Sequence, residues 1–310
     1  MKVPLLYKYK PTTLKEFKMD ANLYSILVNM IELDTLNIIL IGGPGTGKSC
    51  LINLIIQEYY KAETSDNILM LNTLKEQGIQ FYRTDVKYFC QTTCTSGKKK
   101  MVIIDDIDMI NEQTQQLFIN YINKYPNVHF VATGTNTQKI MEGIQSRLVT
   151  LKLHALSSCN LMDILTTITT AENIDMDADA KETVLSISNG SVRMLINYLE
   201  KFKLLEQKIT NDIVDVSCTN IRFSTFKSYT TFVVEHNHAE ACKIMNTINR
   251  EGYSGIDVLD NYFLYIKSST LPDTIKYKII KILCKYITIF NQIHEHPIEL
   301  LFFTLEICDY

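Results

Sequence analysis

The apolar run Asn37-Ile38-Ile39-Leu40-Ile41 leads into Gly42-Gly43-Pro44-Gly45-Thr46-Gly47-Lys48-Ser49, and helix-forming residues follow from Leu51 to Tyr60. A strand, a loop spaced G-x-x-x-x-G-K-[ST] and a helix in succession are what a phosphate-binding P-loop requires. The glycines let backbone N–H groups turn inward around a β-phosphate, and the helix N-terminus adds partial positive charge. Lys48 is placed to reach the β- and γ-phosphates and Ser49 to hold Mg²⁺. The expected ligand is a nucleoside triphosphate, ATP with Mg²⁺, cradled by Gly42, Gly43, Pro44, Gly45, Thr46, Gly47, Lys48 and Ser49.

Strand-like runs recur at 37–41, 67–71, 101–104, 128–133 and 149–153, separated by helical patterns, which predicts a parallel α/β sheet. Residues 3–14, with prolines at Pro4 and Pro11, read as an extended lead-in. The run Met101-Val102-Ile103-Ile104 ends in Asp105-Asp106-Ile107-Asp108. A buried strand ending in paired carboxylates about fifty residues after a P-loop suits a Walker B role, with Asp105 in the Mg²⁺ shell and Asp106 as base or water-positioner. From residue 156 the strands stop. Helical patterns fill 161–171, 178–187 and 191–205, and again 224–236, 239–250, 256–268, 274–291 and 298–307.

A chain of 310 residues has room for two or three domains. Its net charge of −3 excludes a general cationic surface for nucleic acid, so any such contact is local or shared with partners. The eight cysteines are scattered. Only Cys90 and Cys94 are close, with no second pair at metal-ligand spacing, which predicts reduced thiols. No signal-peptide core and no membrane-length apolar run is visible, so the chain is expected to be intracellular and soluble. The Lys98-Lys99-Lys100 run reads as the cap of a solvated loop.

Together these segments resemble the small subunit of replication factor C, the AAA+ sliding-clamp loader. Residues 4–11, PLLYKYKP, look like the family opening P-W-x-x-K-Y-R-P. Residues 71–79, LNTLKEQGI, are similar to L-N-A-S-D-E-R-G-I, and 139–148, KIMEGIQSRL, to K-I-I-E-P-I-Q-S-R-C, which holds the trans-acting arginine finger. Gly190-Ser191-Val192-Arg193 occupies the place of G-D-M-R, and 251–259 resembles part of the family's collar.

The resemblance implies a RecA-like AAA+ domain (1–155), a helical lid (156–217) and a helical collar for oligomerisation (218–310). It implies an ATPase subunit of a hetero-pentamer that opens a PCNA-type sliding clamp and loads it on primer–template DNA, at a nuclear or cytoplasmic replication site. Arg147 becomes the finger for a neighbour's γ-phosphate, where a planar fork suits developing charge. Arg193 becomes the lid arginine facing the chain's own nucleotide.

Three departures stand out. Asp106 replaces a glutamate; one fewer methylene withdraws the carboxylate by about 1.5 Å, and ~1 Å of misplacement can cost ~100-fold. Thr135 falls where asparagine is usual, with Asn136 beside it, and either can bond the attacking water or the γ-phosphate. Ile119 and Asn120 stand where the family has DNA-facing arginines, which leaves this chain a minor share of DNA contact through Lys124 and helix N-termini. The rivals are a nucleotide-binding scaffold with slow hydrolysis and another AAA+ machine such as a helicase loader. An initiator's winged helix would need β-hairpin signals, and 219–310 carry none.

Overall fold

The computed structural model describes residues 3–61, 65–72, 79–92, 97–219, 221–269, 271–292 and 296–309. Residues 73–78, which carry most of the 71–79 resemblance, and Cys94 lie outside this set. The chain divides into two compact units, one of residues up to 164 with Gly190–Asn197 and one of 165–189 with everything from 198 onward.

The lead-in is not wholly extended: it contains a one-turn helix, α1 (Leu5–Lys8). A proline restricts the residue before it, here Val3 and Lys10, and leaves those between free to turn. Leu5 is buried, and Leu14 joins the core against β1 and α3, so the segment is part of the first unit. Then α2 (Ala21–Glu32), β1 (Ile38–Gly42), α3 (Lys48–Tyr60), β2 (Ile68–Asn72), α4 (Ile79–Gln91), β3 (Lys100–Asp105), α5 (Glu112–Lys124), β4 (Val128–Gly134), α6 (Glu142–Gln145) and β5 (Val149–Leu153) follow in order. The five strands form one parallel sheet ordered β2-β3-β4-β1-β5.

Side chains along a strand alternate between faces, and both faces of the central strands β3, β4 and β1 are dry. Ile38, Leu40, Met101, Ile103 and Val131 pack with Leu27, Leu51 and Ile55 on one side. Ile39, Ile41, Val102, Ile104, Phe130 and Ala132 pack with Val86, Phe118 and Ile144 on the other. Burial on both faces is why the sequence shows continuous apolar runs instead of alternation. Each side chain so buried is worth about 1.5–3 kcal/mol. The chain leaves β1 for the far edge and returns through β3 and β4, so β1 and β4 lie side by side at a switch in strand order. In open α/β sheets, ligands bind in the crevice at the carboxyl ends of the strands, at such a point.

The rest of the chain is helical, with the first parts of α7 and α9 counted in the first unit. After α7 (Ser158–Glu172), α8 (Ala178–Ser188) and α9 (Val192–Leu205) come α10 (Asn211–Cys218), α11 (Phe223–Val234), α12 (His238–Arg250), α13 (Gly255–Ser268), α14 (Asp273–Gln292) and α15 (Pro297–Cys308). The core of the second unit centres on Tyr262, with Phe226, Tyr229 and Phe303 ringed around it at 5.2–6.1 Å between centroids. The buried hydroxyls are satisfied internally: Tyr262 shares a bond with Thr230, and Tyr229 donates to Thr304, both at 3.2 Å. Ser254 caps α13 by accepting from Asp257 N at 3.1 Å, and Pro297 starts α15 where its missing N–H costs nothing. Among the described residues no helix is long and apolar enough to cross a membrane.

The Lys98–Lys100 run is not a solvated cap. Lys99 donates to Asp34 O at 2.9 Å and pairs with its carboxylate at 3.2 Å, while Lys100 is buried in β3 with its ammonium 4.5 Å from the Phe89 ring centre. The seven cysteines among the described residues are unpaired.

Candidate functional site

β1 ends at Gly42, and the loop from Gly43 to Gly47 turns the chain into α3. Gly45 (φ +76°) and Gly47 (φ +94°) take left-handed backbone that side-chain-bearing residues rarely adopt. A Cβ on Gly47 would also lie 3.0 Å from the Phe17 ring, so the segment before α2 braces the loop. Thr46 Oγ1 donates to Gly43 O at 2.9 Å, closing the loop on itself. Pro44 is exposed on the loop, and Ser49 is exposed in the first turn of α3.

Lys48 is buried, and its ammonium donates to Gly42 O at 2.8 Å and Gly43 O at 3.0 Å. Burial pushes its pKa below the ordinary value; the carboxylates of Asp106, Asp108 and Asp105 pull it back up, and Arg193 pushes it down. These five side chains therefore share one electrostatic neighbourhood. Arg193 enters it on the first turn of α9, where its Cβ stands 3.8 Å from the place a Cβ on Gly45 would occupy.

The two acidic residues ending β3 are oriented from β4, the strand between β3 and β1. Thr133 Oγ1 donates to Asp105 Oδ1 at 2.6 Å and accepts from Asp106 N at 2.9 Å. Asp106 sits at φ +52°, a left-handed conformation that aspartate tolerates better than most residues. Burial and the neighbouring Asp105 raise its pKa, and Lys48 opposes them. Asp108 turns the other way: its Oδ2 accepts from Thr135 Oγ1 at 2.6 Å and from Thr135 N and Asn136 N at 3.1 Å each. Burial alone would raise the Asp108 pKa, but the bonds from Thr135 and Asn136 hold it below the ordinary value. Asn136 uses its side-chain oxygen to accept from Gln138 N at 2.9 Å.

Arg147 stands apart. It precedes β5, whose first residue, Val149, pairs with Ile38 at the start of β1, so a strand length of ~13 Å separates its end of the sheet from the P-loop end. It is exposed, donating from Nε to Asn123 Oδ1 at 2.7 Å and from Nη1 to Gly143 O at 2.8 Å. The preceding segment is held by two glutamines. Gln115, buried, donates to Ile110 O and Lys139 O at 3.0 Å each and accepts from Met141 N at 2.9 Å; Gln145 donates to Ile140 O at 2.8 Å. Ile119 is half-buried and reaches within 2.7 Å of where a Gly143 Cβ would sit, closing α5 against α6. Asn120 and Lys124 are exposed, the latter with its ammonium 5.8 Å from the Tyr125 ring centre.

Sequence reasoning thus assembled the P-loop, Asp105, Asp106 and Arg193 at one end of the sheet, and Arg147 at the other. It missed Phe17, Thr133, Asp108 and Gln115. Asp108 lies in the Asp105-Asp106-Ile107-Asp108 run and Gln115 four residues before Ile119, but their partners are set by the fold and could not be read from spacing.

A family model described as an AAA domain matches residues 35–159. A putative replication factor C small subunit of Acanthamoeba polyphaga mimivirus is 26% identical over 282 residues, covering 90% of this chain and 88% of that protein. The replication factor C small subunit of Methanococcus maripaludis is 25% identical over 285 residues, covering 91% and 90%. Over nine-tenths of its length the chain is similar to replication factor C small subunits. With its AAA domain it is an ATPase of the AAA+ class. A plant relative, replication factor C subunit 4 of Oryza sativa, is 25% identical over 90% of this chain and 84% of that protein. Among solved structures, the Thermotoga maritima RuvB Holliday junction branch migration motor shares the fold, with a TM-score of 0.52 and 18% identity over 72% of this chain and 79% of that one.

Proposed function

We propose that this chain is an ATP-hydrolysing subunit of a hetero-pentameric clamp loader that opens a PCNA-type ring and places it on primer–template DNA. The observation that carries the reading is the division of labour across the sheet. Lys48, Asp105, Asp106 and Arg193 gather at one end, while Arg147 stands a strand length away at the other, beyond reach of its own P-loop. A site of that kind is completed by a neighbour's arginine, and Arg147 completes the next site in turn.

The residues fit ATP with magnesium. The left-handed glycines let the loop backbone turn around a phosphate, and Lys48 lies behind it on two carbonyls that phosphate oxygens would replace. Ser49 and Asp105 would hold the ion, which neutralises charge on the phosphates. Among the described residues no group of three or more His, Cys, Asp or Glu side chains could hold a metal. Magnesium suits such a sparse set, since it takes most of its ligands from phosphate and water. Asp106 then orients the attacking water, and Arg193 faces the γ-phosphate from the lid. The three-part organisation, 1–155, 156–217 and 218–310, belongs to the same proposal, with the last part joining collars into a ring. DNA contact by this chain is minor, through Lys124 and helix N-termini. A second reading, a nucleotide-binding scaffold with slow turnover, rests on the short, left-handed Asp106.

The test is co-expression with the partner subunits from the same source, native mass spectrometry of the assembly, and ATP-dependent loading of a ring clamp onto primed circular DNA. A pentamer that loads clamps, and fails to when this chain carries Lys48→Ala, is the expected result. An assembly without this chain, or loading indifferent to Lys48→Ala, contradicts the proposal.

A further inference from the structure

We infer that Asp108 is a positioning residue that makes the Thr135 hydroxyl a pure hydrogen-bond acceptor, so that Thr135 orients the attacking water and does not bind the γ-phosphate. The inference rests on the nucleotide-hydrolysing reading given above and settles a choice the sequence leaves open.

A threonine hydroxyl has a single proton and two lone pairs. In this structure the proton is directed at Asp108 Oδ2, 2.6 Å away, a distance typical of a charge-assisted bond. The same oxygen also accepts from Thr135 N and Asn136 N, so the backbone of the β4 exit is pinned together with the hydroxyl. What Thr135 still offers is lone pairs. Phosphate oxygens are themselves acceptors and gain nothing from them, whereas a water poised for attack can donate an O–H.

The surroundings keep this polarity fixed. Asp108 is 7% exposed, and its other oxygen, Oδ1, is buried with no hydrogen-bond partner. A buried unpaired carboxylate oxygen is costly and rare, and such exceptions call for an explanation beyond packing. Here no rival donor competes for the carboxylate, so it stays committed to the Thr135–Asn136 turn. Thr135 itself remains exposed at the carboxyl end of β4, between the strands that carry the P-loop and Asp105.

The test uses the assembled complex with the P-loop lysines of the other subunits replaced, so that only this site turns over. Single-turnover hydrolysis and the affinities for fluorescent ATP and ADP analogues are measured for Thr135→Val, Thr135→Ser, Asp108→Asn and the Thr135→Val/Asp108→Asn pair. Thr135→Val is expected to slow hydrolysis roughly a hundred-fold, the scale of a misplaced reacting group. The ratio of ATP to ADP affinity should change less than twofold. Thr135→Ser should lose less than Thr135→Val, and the double variant should be no slower than Thr135→Val alone. A lower ATP-to-ADP affinity ratio in Thr135→Val would mean that the hydroxyl serves the γ-phosphate. Losses that multiply in the double variant, or a melting temperature lowered by Asp108→Asn without any change in rate per folded complex, would make Asp108 independent of Thr135; either overturns the inference. A wild-type complex silent at this site would defeat the underlying reading instead.

Discussion

The Thr133 hydroxyl donates to the Asp105 carboxylate across 2.6 Å, tying the end of β4 to the end of β3. Because the same oxygen accepts from Asp106 N, one buried side chain orients both acidic residues. Thr133→Val keeps the shape and removes both bonds, leaving an amide and a carboxylate oxygen short of a partner at about 1–3 kcal/mol each. The expected outcome is a roughly ten-fold higher magnesium requirement for hydrolysis, with Thr133→Ser near wild type. A magnesium titration of both variants checks it, and identical curves for valine and threonine would count against the arrangement.

Asp106 tests the division between binding and chemistry. Asp106→Asn preserves size and tolerance of φ +52° while removing the charge, so ATP should bind as before and hydrolysis at this site should fall by at least ~100-fold. Asp106→Glu restores the methylene. A left-handed backbone costs a side chain of that kind about 1–2 kcal/mol, which should appear as lower stability, while the carboxylate's longer reach raises turnover. Urea unfolding and single-site hydrolysis separate the two effects; a slower Asp106→Glu would mean that the pocket is built around aspartate.

Stability should depend on pH through a cluster remote from the site. Asp34 accepts from Tyr59 at 2.5 Å and pairs with His129 at 2.9 Å. Burial works against the Asp34 carboxylate, but the bonds from Tyr59, His129 and Lys99 outweigh it and hold the pKa down to about 2. A lowered carboxylate pKa stabilises the fold above the unfolded value of 3.8, and this contribution is lost as pH falls from there towards 2. His129 is lowered from 6.5, chiefly by burial. Its neutral form is favoured in the fold, so stability also declines as pH drops below 6.5. Urea titrations across this range should show both declines in wild type and a shallower acid limb in Asp34→Asn. Equal acid limbs would remove Asp34 from the explanation.

What the sequence disclosed, and what it withheld, follows from the range of the interactions involved. All five strands lie within one residue of their expected bounds: the central β1 and β3, buried on both faces, write themselves as apolar runs, and the edge strand β5 as alternation. The P-loop was legible because its spacing is local. The one-turn helix at Leu5–Lys8 and α10 were not, being too short to show a period. The Lys98–Lys100 run misled because Asp34 and Phe89, which take up its charges, are distant in sequence. Thr133 and Asp108 look like ordinary polar residues until β4 is known to lie beside β3. The packing of Ile119 against Gly143 is likewise invisible in the sequence.

The most direct test of a shared site is the exchange of Arg147. An arginine finger is worth ~10³–10⁵ in turnover, whereas a surface salt bridge contributes only ~0–1 kcal/mol. Arg147 has Nε on Asn123 and Nη1 on Gly143, which orients the guanidinium without burying it. Hydrolysis is measured in assembled complexes carrying Arg147→Ala or Arg147→Lys, alone and beside a neighbour whose P-loop lysine is replaced. The expected result is intact ATP affinity at this chain's own site and collapsed turnover at the adjacent one. Lysine should give no rescue, since a point charge lacks the planar fork, and the dead neighbour should add little further loss. Wild-type turnover and clamp loading by the Arg147→Ala complex would contradict the proposed role.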